Sequence, residues 1–146
     1  MRQELFETHI EKYVKPDFGW IYTDTTRDWS NVQVVLADMS MEAGVGWFKL
    51  KSGKDSNFTK AINNHNWNKA IFELINDTGT NIDRNIQRAK ILSAYLPTKI
   101  DLDSYKVDFN NMPEGINSKG AYLNLLRKDE SYWKHLNTLT GLNKPQ

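Results

Sequence analysis

Asp38 and Glu42 stand four residues apart in VQVVLADMSMEAG (32–44), otherwise one of the most apolar stretches of the chain. On a helix, positions i and i+4 are neighbours, so the two carboxylates share a face. Such a pair at the edge of a buried helix can line a cleft, take charge-assisted hydrogen bonds from an Arg or Lys of another helix, or face water. Acids are rarely buried without partners, which makes the solvated or structurally paired face the plainest of the three. His9, His65 and His135 are acid/base groups by type, but no Ser or Asp stands at a spacing informative for a triad, and the three show no metal-ligand pattern. The chain has no Cys, which removes thiolate ligands, cysteine nucleophiles and disulfides. GVGWFKLKSGKDS (44–56) resembles a phosphate loop superficially. Gly46 and Gly53 are too far apart for that motif, however, and Asp55 follows Lys54 where Ser or Thr is required. Trp20, Tyr22 and Trp29 offer flat rings that suit the apolar faces of sugars, or that fill a core.

These groups need elements to position them. Leu5, Phe6, Ile10, Tyr13 and Val14 recur at helical spacing over residues 3–14, and Pro16 is expected to close that helix. Residues 17–30 mix aromatics with turn formers and read as an irregular loop or a short strand pair. Asn31 opens a helix whose Val35, Leu36, Met39 and Ala43 share one face, with Gly44 as its stop. After a loop anchored by Trp47 and Phe48, helices follow over 55–63, 66–76 and 81–96, separated by Gly79 and ended by Pro97. Residues 98–118 read as a loop, and AYLNLLRKDESYWKHLNTL gives one or two terminal helices. The expected class is mainly α, six or seven helices around a central buried helix at about residues 31–43.

A chain of 146 residues fits one domain with a sizeable core. A net charge of +1 provides no strong field for nucleic acid or anionic lipid. No run approaches the roughly 18 apolar residues of a membrane span. MRQELFETHIEKYVKP is amphipathic and charged, unlike a secretory signal, so synthesis in the cytoplasm is expected.

LADMSMEAG (36–44), Phe58 with KAI (60–62), NWNKAIFEL (66–74) and RNIQRAKIL (84–92) together resemble the C-terminal helical lobe of the phage-type lysozymes, glycoside hydrolase family 24. The resemblance implies a single lysozyme-like domain over 1–146, with residues 1–30 as an active-site segment, 31–97 as the helical lobe and 98–146 as an extension. It places Asp38 and Glu42 on the cleft-facing edge of the central helix and makes Arg88 the partner of a catalytic acid. Glycoside cleavage needs one protonated and one ionised carboxyl group, and the family pattern assigns these to Glu11 and Asp24, with Ser30 as the hydroxyl residue that follows. The chain departs from the family in two ways. Thirteen positions rather than nine separate Glu11 from Asp24, so PDFG acts as an insertion, and the glycine-rich hairpin and long connecting helix are missing. The N-terminal lobe is therefore reduced or rebuilt. Glu4, Glu7 and Glu11 also fit a solvated helix edge.

The activity implied is that of a muramidase hydrolysing the β-1,4 MurNAc–GlcNAc bond of peptidoglycan, with no cofactor and no metal, as a monomer that reaches the wall after release from the cell. The alternative is a lysozyme-like module without chemistry that binds glycan or a protein partner. A third is a factor that holds a host protein through residues 98–146.

Overall fold

The structure is a computed structural model that describes residues 7–76, 82–97, 100, 102 and 109–141. Helices make up its regular structure; among the described residues there is no strand beyond an isolated bridge between Lys49 and Asp55. No described helix is long and apolar enough to cross a membrane. The chain forms two compact units, Met1–Ala70 and Ile71–Gln146. Leu5, Phe6 and Gly79, which the sequence assigns to helix faces and a break, lie outside the described residues.

The first unit begins with helix that widens into a π-turn at Ile10–Val14, where the Lys15 N–H donates to the Ile10 carbonyl. Helix α1 (Lys15–Phe18) follows at once, with Pro16 in its first turn. Pro16 thus restarts the helix instead of closing it, because the first turn is the one place where a missing N–H leaves no intrahelical bond unmade. Helix α2 (Trp20–Thr23) occupies the first part of the expected loop or strand pair, while residues 24–29 are irregular as the loop reading has it. Its Ile21 is buried, and the Ile21 carbonyl accepts from Gln33 Nε2 at 2.8 Å, so packing against the next helix overrides the strand preference of the aromatic and β-branched residues here.

Helix α3 (Ser30–Ala43) is the expected central segment, beginning one residue earlier and ending at the expected Gly44 stop. Val32, Val35, Leu36, Ala37, Met39 and Ser40 are buried along it, while Val34 is 54% exposed, so the helix is covered on one side only. Gly44 ends it at φ 57° and ψ −123°, a region closed to residues with a β-carbon, and its N–H donates to the Ser40 carbonyl at 2.8 Å. The loop that follows is tied to helix α4 (Asn57–Asn63) by hydroxyls. Ser56 Oγ caps α4 by accepting from the Thr59 N–H at 3.1 Å and itself donates to the Trp47 carbonyl, while buried Thr59 donates to the Phe48 carbonyl at 2.7 Å. Phe18 and Phe48, both fully buried, meet edge to face at 5.1 Å.

Lys49 clamps this loop to the N-terminal segment. Its ammonium lies 2.8 Å from Asp17 and 2.5 Å from Asp55, and hydrogen bonds to the two carboxylates, Asp17 first, hold its pKa above the ordinary lysine value. Lys49→Met is expected to lower the melting temperature, with a deficit that shrinks at high salt; equal deficits at low and high salt would show that the clamp is not electrostatic.

Helix α5 (Trp67–Ile75) contains the boundary between the units. In the second unit, helix α6 (Ile82–Leu92) runs into a 3₁₀ turn at Ser93–Tyr95. Helix α7 (Lys119–Leu126) is capped by Ser118, and helix α8 (Glu130–Thr140) by Asp129 and terminated by Gly141 in the left-handed region. The terminal stretch therefore gives two helices. Buried Tyr132 donates to Asn76 Oδ1 at 3.0 Å, and Trp133 Nε1 donates to the Arg127 carbonyl, so the polar ends of these rings are satisfied within the unit.

Candidate functional site

Asp24 follows α2, where the backbone turns extended, and one carboxylate oxygen accepts from both the N–H (2.9 Å) and the hydroxyl (2.6 Å) of Thr26. These two bonds are the main reason the Asp24 carboxyl is held below its usual range; the side chains of Trp29 and His65 act in the same direction. The sequence D-x-[ST] recurs at Asp28 with Ser30 and at Asp129 with Ser131, each carboxylate accepting the N–H two residues on and each lowered for the same reason. Because the folded values are depressed, the stabilisation from all three is complete above the ordinary aspartate pKa of about 3.9 and is lost as pH falls through the lowered values. A carboxyl-carbon NMR titration is expected to show Asp24, Asp28 and Asp129 protonating below a control aspartate; an ordinary midpoint at Asp24 would contradict the turn geometry.

Four rings gather beside Asp24. Trp20 and Trp29 meet edge to face at 5.1 Å, and the His65 imidazole lies 4.6 Å from Trp20, 5.1 Å from Trp29 and 5.7 Å from Trp67. Trp29 and Trp67 are buried, Trp20 is half-buried and His65 is exposed. Trp20 Nε1 donates to Asn63 Oδ1 at 2.7 Å, and Asn63 Nδ2 donates to the Asp17 carbonyl at 3.1 Å, which fixes the α4–α5 turn to the α1–α2 segment. His65 holds the turn at φ 55°, a left-handed conformation costing a residue with a β-carbon roughly 1–2 kcal/mol. The Arg27 guanidinium lies over Trp29 at 5.6 Å.

The other residues named from the sequence fall as follows. Glu11 lies in the π-turn, exposed to water and ion-paired with Lys15 one turn on. Its charge acts on Tyr22, whose phenol is pushed up first by burial and then by Glu11. Ser30 is exposed at the start of α3, engaged by Asp28. Asp38 and Glu42 are half-buried on α3. Arg88 belongs to the second unit, where it is 2% exposed and donates to Asn85 Oδ1 at 2.8 Å; Asn85 in turn donates to the Leu74 carbonyl. Glu11, Asp24, Ser30, Asp38 and Glu42 thus share the first unit, and Arg88 lies in the second. Among the described residues no group of three His, Cys, Asp or Glu side chains is disposed to hold a metal ion.

The His65 cluster is the feature that sequence reading missed. Its only local signal is the density of amides and rings in NNHNWN. No family model, curated protein or solved structure matches the chain.

Proposed function

We propose that this chain is a lysozyme-like protein directed at the glycan strands of peptidoglycan, cleaving the β-1,4 MurNAc–GlcNAc bond with Asp24 as its ionised carboxylate and Glu11 as its general acid. The observation that carries the proposal is the Asp24 turn: a carboxylate kept charged by two Thr26 donors, next to surface rings of the kind that bind sugars. Glycoside hydrolysis requires one such charged partner to a developing oxocarbenium ion. Asp38 and Glu42 supply supporting charges in this reading, and Ser30 a hydroxyl.

A second reading has its own support. A general acid needs an apolar pocket to keep its proton near neutral pH, and Glu11 instead lies in water beside Lys15. That favours a module which binds the glycan without cutting it. Turbidity of a Gram-negative wall suspension separates the two. Clearing by the native chain somewhere between about pH 4 and 8, the span of carboxyl acid/base work, supports the muramidase. Co-sedimentation with walls without clearing selects the binding module. A chain that neither clears the walls nor co-sediments with them would sink both readings.

A further inference from the structure

We draw no further inference here: the strongest candidate, the surface patch that the turn at residues 50–54 makes by exposing Leu50 beside Lys51 and Lys54, carries nothing because nothing in the structure shows what covers it.

Discussion

Leu36→Ala is expected to destabilise the chain by about 2–5 kcal/mol, the range for emptying a fully buried leucine site. Leu36 has no exposed surface and lies mid-way along α3 between buried Val35 and Ala37, on a helix that also contacts the π-turn and α2. Truncation removes the transfer energy of its methyl groups and leaves a cavity whose walls belong to different elements and cannot all close in. Val34→Ala, two residues earlier on the exposed side of the same helix, is expected to change stability by no more than about 0.5 kcal/mol. Urea unfolding followed by far-UV circular dichroism compares the two. Similar losses from both would mean that α3 is buried all round and that its assigned orientation is wrong.

On the muramidase reading, Asp24→Asn is expected to reduce wall clearing by about 10²–10⁴-fold, the contribution of a positioned carboxyl group to acid/base chemistry. The amide keeps an oxygen in the place where Thr26 donates, so the turn persists and only the charge is lost. Glu11→Gln is expected to cause a loss of the same order, because hydrolysis fails without either member of the pair. Thr26→Val serves as the graded case. Without its hydroxyl, Asp24 regains protons at higher pH, and the acid limb of the clearing profile moves upward. An Asp24→Asn chain that clears walls at the native rate would remove Asp24 from the chemistry, and a Thr26→Val profile that does not move would detach the titration from the turn.

The main helices were legible from the sequence because their signals are local. Period and a terminal glycine placed α3 to within a residue at each end, and Val35, Leu36 and Met39 are buried as their spacing implied. Pro16 misled, since proline stops a helix interior and opens a new first turn equally well, and the two outcomes look alike until the π-turn before it is seen. The stretch around Trp20 misled for a different reason: its composition favours strand, and only tertiary packing of Ile21 makes it helical. Asp24 was named by resemblance, yet the cause of its charge, the D-x-T turn, is a purely local pattern that three sites in the chain share. The ring cluster could not be read from spacing at all. Trp20 and Asn63 are joined across 43 positions, and no periodicity links residues so far apart.

The position of the unit boundary inside α5 has a practical corollary for anyone wishing to dissect the chain. A fragment ending at Ala70 would contain every ring of the Trp20–His65 cluster and both candidate carboxylates, yet its last helix would be a single turn cut from Trp67–Ile75. One turn has paid the nucleation cost of a helix without the bonds that repay it, so Trp67 would lose its anchorage and the imidazole its backing. The minimal piece that preserves the surface therefore has to borrow residues from its neighbour, at least through Ile75.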